Sequence, residues 1–268
     1  MKVAKTTKND QRDKFKLYQN SVQNVEFEVP FIRRVYRKIR GRDALRLRED
    51  FCGSASLACE WVRRVKNGTA VGIDLDGPTL DYARKKNAAK LGSDAERLEL
   101  RKENVLTADG KNPDIVAAYN FSYFIFKRRK VLLDYFRAVR NSLADDGVFM
   151  LDIFGGPEAQ ILQEESTEHD DFSYVWDQAR FNPITGELFC HIHFDFPDDA
   201  RMRRAFTYDW RLWSIPEVID ALEDAGYQNP TVYWEGTDRK DGGGNGVFRE
   251  STKGDNASCF IAYIIAPK

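Results

Sequence analysis

Arg48-Glu49-Asp50-Phe51-Cys52-Gly53-Ser54-Ala55-Ser56, followed by Val71-Gly72-Ile73-Asp74-Leu75-Asp76, reads as two consecutive strand ends facing one nucleoside-like ligand. The segment from Ala44 to Phe51 is flanked by apolar residues and runs into an acid, a glycine and three small residues. Leu57, Ala58, Trp61, Val62 and Val65 then recur at helical spacing. A strand, a tight turn and a helix follow, and the turn places free backbone N–H groups and the positive end of a helix where a ligand can approach closely. Thr69 to Asp74 is a second short strand, ending in a carboxylate 21 residues beyond Gly53. Dinucleotide sites place an acid at about 20 residues, where it accepts hydrogen bonds from ribose hydroxyls. Gly53 stands alone, however, where a pyrophosphate needs several glycines, so the pattern favours a ribose without a pyrophosphate and disfavours a nicotinamide-dependent oxidoreductase.

Alternation continues through a helix at Pro78–Lys90, strands at Leu98–Lys102 and Asp114–Tyr119, a helix at Arg129–Leu143 and a strand at Gly147–Phe154. With terminal strands at Thr231–Trp234 and Ser258–Ala266 after a helix at Ile215–Ala225, the expected fold is α/β: a doubly wound, mainly parallel, seven-stranded sheet. Ligands of such sheets bind beyond the carboxyl ends of the strands. There Asp74 takes the ribose, Asn104 meets the base with Val105 beside it, and Tyr119 to Tyr123 lie over the reacting centre. An acid ending a buried strand is costly unless satisfied, which singles out Asp74. Asp50 either caps the turn from within or touches the ligand, and Asp76 reads as a helix start before Pro78.

Asp50 to Ala55, Gly72 to Leu75, Asp114 to Tyr123 and Gly147 to Asp152 together resemble the ordered motifs of the class I S-adenosylmethionine-dependent methyltransferases. The resemblance implies S-adenosylmethionine as cofactor, held by Asp50, Phe51, Cys52, Gly53, Asp74, Leu75, Asn104, Val105, Tyr119 and Asn120. Where that family carries several glycines in its first motif, this chain has Cys52 and Ser54 or Ala55, small enough for the same close approach. Tyr18, Gln19 and Tyr123, with Tyr119 and Asn120, are the residues expected to shape the transfer site. Transfer by proximity needs no dedicated base unless the nucleophile is protonated. Nucleic-acid amino-methyltransferases carry prolines in the Tyr119–Tyr123 region, and this chain has none there.

Between Phe172 and Trp213 the pattern changes to strict alternation, most clearly at Leu188, Cys190, Ile192, Phe194 and Phe196. An antiparallel β-meander inserted at about 172–213 is expected, laid over or beside the cleft, within a methyltransferase domain of 44–268 preceded by a tail and cap helix at 1–43. The helix is expected to begin near Pro30 and to end at Gly41. His191 and His193 share a strand face, the geometry of half a metal site or a base, yet no third ligand shows suitable spacing, so no metal is expected. Arg203, Thr207, Asp209 and Arg211 share a face of the next strand, either solvated or anion-binding.

The 268 residues hold 41 Lys and Arg against 42 Asp and Glu, so net charge gives no pull toward nucleic acid. Arg33 to Arg48 is locally basic, although Phe31, Ile32, Val35, Tyr36 and Ile39 mark the opposite face as buried and leave the cations solvated. The four cysteines lack paired spacing, no apolar run is long enough to cross a bilayer, and Met1 to Lys16 is no signal peptide, so a cytoplasmic protein with reduced thiols is expected. Gly242 to Gly246, within the 236–256 segment, marks a lid or an ordinary connection. A small-molecule acceptor is favoured, because the meander can enclose a compact pocket. The alternatives are an RNA or protein methyltransferase of the same fold and a non-catalytic cofactor-binding module.

Overall fold

The computed structural model describes residues 12–109, 111–238 and 243–268. Its regular elements are α1 (Lys14–Val22), α2 (Val25–Arg40), β1 (Arg46–Asp50), α3 (Ser56–Arg64), β2 (Thr69–Asp74), α4 (Gly77–Tyr82), β3 (Leu98–Lys102), β4 (Ile115–Ala118), α5 (Arg129–Ser142), β5 (Val148–Gly155), β6 (Gln163–Glu168), β7 (Ser173–Asn182), β8 (Glu187–Asp195), β9 (Arg201–Arg211), α6 (Ile215–Asp224), β10 (Thr231–Thr237), β11 (Gly244–Glu250) and β12 (Phe260–Pro267).

The main sheet has the order β3-β2-β1-β4-β5-β12-β10-β11. β1 to β5 pair in parallel, and β12 runs antiparallel to both β5 and β10. Seven of these strands match the expected sheet. The eighth, β11, pairs antiparallel with β10 and lies in the glycine-rich segment read as a loop. Its glycines hide the strand signal, and the cross-strand pairs Tyr233 with Glu250 and Glu235 with Phe248 form it. Residues 239–242, part of the suggested lid, lie outside the described residues. β4 and β5 are buried along their whole length, as central parallel strands must be. At the end of β5, Gly156 adopts φ +105 and a Cβ there would lie 2.4 Å from the Ser258 carbonyl oxygen, so only glycine lets the chain approach β12 this closely.

α2 begins at Val25 rather than near Pro30, which sits inside it. Val29, Phe31, Ile32, Val35 and Tyr36 are all buried on one face, and that burial outweighs the hydrogen bond the proline cannot donate. The cations of the basic run are largely exposed, as the buried opposite face suggested, except that Arg48 turns inward, and most of them are paired. Arg37 pairs with Asp43, Lys38 with Glu250 (2.6 Å), Arg42 with Asp146 (2.7 Å), and both Arg42 and Arg46 with Asp114 (3.0 and 2.8 Å). Arg34 and Arg40 donate to the carbonyls of Phe248 and Gly147. Burial works against the Asp114 charge, but Arg46, Arg42 and the amides of Leu45 and Arg46 outweigh it and hold the carboxyl at about 2.

By compactness the described chain divides into two units, residues 12–24 with 160–209 and residues 25–159 with 210–268. In the first, α1 is capped by Asp13, which accepts from the amides of Phe15 and Lys16, and lies where a tail was expected; residues 1–11 of that tail lie outside the described residues. The meander has four strands, in the order β6-β7-β8-β9, and starts at Gln163. Leu17, Phe172, Ile192 and Phe194 form this unit's core. Among the described residues, no helix is long and apolar enough to cross a membrane.

Candidate functional site

The turns after β1 and β2 are tied together by one side chain. Asp74, at the end of β2, accepts the Gly53 amide on one carboxylate oxygen (2.8 Å) and the Asp76 amide on the other (2.8 Å). The Cys52 amide also donates to the Ile73 carbonyl (2.9 Å), so the β1 turn is held against β2 at two successive residues. Phe51 and Ala55 take left-handed backbone angles (φ 55 and 56) and Gly53 takes φ +50. Left-handed residues other than glycine cost energy and cluster at binding sites. A Cβ on Gly53 would meet only Thr79 Cγ2 at 3.8 Å, which leaves the space above it open. Leu75 is 62% exposed directly after Asp74, an apolar surface available to a base. Asp76 caps α4 through the Thr79 amide, as its position before Pro78 suggested. After β3, Asn104 is exposed with its side-chain oxygen on the Leu106 amide, whereas Val105 is buried and its carbonyl accepts from Arg48. Val105 therefore packs inward, away from the face expected to meet a base.

Asp50 is committed elsewhere. It is fully enclosed, with Arg48 on both oxygens (2.6 and 3.1 Å) and the Tyr135 hydroxyl donating at 2.8 Å. Arg48 also donates to the carbonyls of Val105 and Ala108 and to Ser142 Oγ. This network holds the end of β1 from beneath, so of the two readings of Asp50 the internal one describes its position. Glu49, which the sequence reading passed over, faces the other way and accepts the Ala58 amide in the first turn of α3 (2.8 Å). Two adjacent acids at the end of a buried strand place one on each face, and that parity was the available signal. Burial pushes Glu49 well above the ordinary range of a glutamate.

At the end of β4 the chain turns through two left-handed residues, Asn120 and Phe121 (φ 56 and 57), whose amides donate to the two oxygens of Asp152 on β5 (2.8 and 2.9 Å). Burial raises Asp152 to about 7, partly offset by those amides. Tyr119 and Tyr123 are buried and their hydroxyls have no partner. Glu28 of α2, also unread from the sequence, is buried and raised to about 8, first by burial and then by the charge of Asp152. Tyr18 and Gln19 lie on α1, in the other compact unit, where Tyr18 packs on Phe206 at 4.9 Å between ring centroids. A carboxyl whose folded-state value exceeds its unfolded value loses stability as pH rises between the two, here from about 4.5 to about 8. Glu28→Gln is accordingly expected to unfold at a higher temperature than the parent protein at pH 9 and to differ little from it at pH 4.5, measured by calorimetric scans.

The meander histidines are both buried. His193 Nδ1 accepts the Arg204 amide (2.7 Å), which leaves the proton of the neutral ring on Nε2, 3.2 Å from Asp177. Glu164, Asp177 and His193 bring potential ligand atoms together, but Arg201 holds Glu164 (2.9 Å) and the only ring nitrogen facing the group already carries that proton. His191 meets Thr207 (2.9 Å) and is lowered by burial and Arg204.

The sheet order, with its one reversed strand between β5 and β10, and the carboxylate at the end of β2 beside a glycine turn define the fold of the class I S-adenosylmethionine-dependent methyltransferases. Solved structures share it over nearly their whole length. A S-adenosylmethionine-dependent methyltransferase from Clostridium acetobutylicum matches with TM-score 0.69 at 16% identity, covering 94% of this chain and 96% of its own. DesVI of Streptomyces venezuelae matches with TM-score 0.67 at 16% identity, covering 96% and 98%. CalS10, an amino pentose methyltransferase of calicheamicin biosynthesis from Micromonospora echinaspora, matches with TM-score 0.66 at 16% identity, covering 94% and 95%. No family model and no curated protein matches this chain.

Proposed function

We propose that the protein is a methyltransferase using S-adenosylmethionine and acting on a small molecule. The observation that carries this reading is Asp74, whose two oxygens anchor the turns after β1 and β2 and keep further lone pairs for a pair of ribose hydroxyls. The donor set fits the cofactor. Leu75 offers an apolar surface to the adenine, exposed Asn104 offers polar groups to its edge, and the open space above Gly53 takes the methionine portion. Asp152, raised to about 7 and so still partly ionised near neutral pH, adds negative potential at the strand ends, which suits a ligand bearing a sulfonium and an ammonium. When bound, the cofactor supplies an activated methyl group; the protein's part is to orient it and to exclude water, for which the left-handed turns at Phe51 and Asn120 give rigid walls. Asp50 supports this site from below through Arg48, and Tyr119, Asn120 and Tyr123 border its acceptor side.

A small-molecule acceptor is supported by the pairing of the basic run from Arg34 to Arg48 with the chain's own acids and carbonyls, which offsets the local positive charge that would favour an RNA acceptor, and by CalS10, which acts on an amino pentose. Four free thiols, three of them buried, suit the reducing cytoplasm. Calorimetric titration with S-adenosylmethionine and S-adenosylhomocysteine, with a nicotinamide dinucleotide as control, tests the reading. Micromolar-range binding of the first two alone is expected, and a folded protein that binds neither refutes it.

A further inference from the structure

Glu28 is a buried carboxyl without a counter-ion among the described residues. It is 7% exposed, and no described residue hydrogen-bonds or ion-pairs to it. The groups that face it are Asp152 on β5, Glu49 on β1, Tyr119 at the end of β4 and Tyr263 on β12, and none of them is a cation. Independently, the hydroxyls of Tyr119 and Tyr123 are buried and unpartnered, and both lie in the field of Asp152; that of Tyr119 also lies in the field of Glu28. Each oxygen of Asp152 already accepts one amide, from Asn120 and Phe121. Acceptor-rich, donor-poor and without a basic side chain, this wall of the strand-end site wants a ligand that brings positive charge and several N–H donors.

We propose that Glu28, with the hydroxyls of Tyr119 and Tyr123, forms a recognition pocket for an aliphatic amine on the methyl acceptor. The proposal rests on the methyltransferase reading and names its substrate class. An ammonium group offers three donors, enough for the carboxylate and both tyrosine oxygens, and its charge replaces the missing counter-ion. An alcohol of the same shape offers one donor and brings no positive charge to favour the ionised carboxylate. Glu28 can also take one ammonium proton: the N–H bond breaks, an O–H bond forms on the carboxylate, and ammonium plus carboxylate become neutral amine plus neutral acid. Raised to about 8, the carboxyl lies closer in basicity to an aliphatic amine than an ordinary glutamate does.

The test uses the full chain saturated with S-adenosylhomocysteine and matched pairs of probes, glucosamine against glucose and benzylamine against benzyl alcohol, followed by thermal shift and calorimetry. The amine of at least one pair is expected to bind roughly tenfold or more tighter than its hydroxyl partner, as a charged hydrogen bond supplies. Glu28→Gln is expected to abolish the preference while still binding S-adenosylhomocysteine within about threefold of the parent affinity, which also certifies its fold. Tyr123→Phe is expected to reduce it. Equal behaviour of amines and alcohols, no binding by either, an unchanged preference in Glu28→Gln, or amines that displace S-adenosylhomocysteine would each overturn the proposal alone. Failure of S-adenosylhomocysteine to bind the parent protein would instead remove the methyltransferase reading, and this inference with it.

Discussion

Asp74→Ala is expected to weaken binding of S-adenosylmethionine and S-adenosylhomocysteine by roughly 100-fold, with only a small loss of stability. Two losses combine. The ribose hydroxyls lose an ionised acceptor, where a hydrogen bond to a charged group contributes about 1.5–3 kcal/mol. The amides of Gly53 and Asp76 lose the carboxylate that fixes both turns, so the cradle is no longer preformed. Stability falls little, because Asp74 is partly exposed and water can replace the lost acceptor. Asp74→Asn keeps one oxygen and should fall between the two. Calorimetric titration beside thermal unfolding separates the effects; unchanged affinity in Asp74→Ala would show that the ribose is not held here.

The largest stability effect is expected at Arg48. Arg48→Met leaves Asp50 buried and ionised without its counter-ion, and strips the donor from the Val105 and Ala108 carbonyls and from Ser142. Breaking a buried ion pair from one side costs about 3–5 kcal/mol, which for a chain of this size lowers the melting temperature by about 10 °C. Arg48→Met/Asp50→Asn removes the stranded charge while retaining an acceptor for Tyr135, and should recover a measurable part of the loss. Urea unfolding of the parent, the single variant and the double variant decides it: a double variant no more stable than the single would show that the charge of Asp50 is not what Arg48 compensates. Because this network lies directly beneath Phe51 to Gly53, the single variant is also expected to bind cofactor more weakly.

Glu28 and Arg48 show where sequence reading stops. Pro30 is a strong local start signal, and it pointed to a helix beginning five residues too late, which left Glu28 outside any element; packing of the α2 face decided otherwise. Arg48 read as one more cation in a basic run, and only strand parity combined with Asp50, itself bonded to Tyr135 85 positions further along the chain, turns it inward. β11 was lost because glycines carry no alternation, and its partner β10 supplies the pairing that the residues themselves do not announce. The meander histidines were read correctly as sharing one face, but burial of that face was invisible until β9 lay beside β8.

By itself the sequence determined the alternation of strands and helices, a mainly parallel sheet, and the placement of Gly53, Asp74 and Leu75 at two consecutive strand ends. These are consequences of local periodicity, turn chemistry and the fixed span of a strand–helix–strand unit. Only the tertiary structure decided which charges are satisfied. The basic run met Asp114, Asp146 and Glu250, Asp50 turned to Arg48, and Glu28 came to stand near Asp152 and Tyr119 without a partner. The physical reason is that a side chain's electrostatic state depends on what lies across from it in space, and residues tens of positions apart leave no mark of that meeting in their spacing.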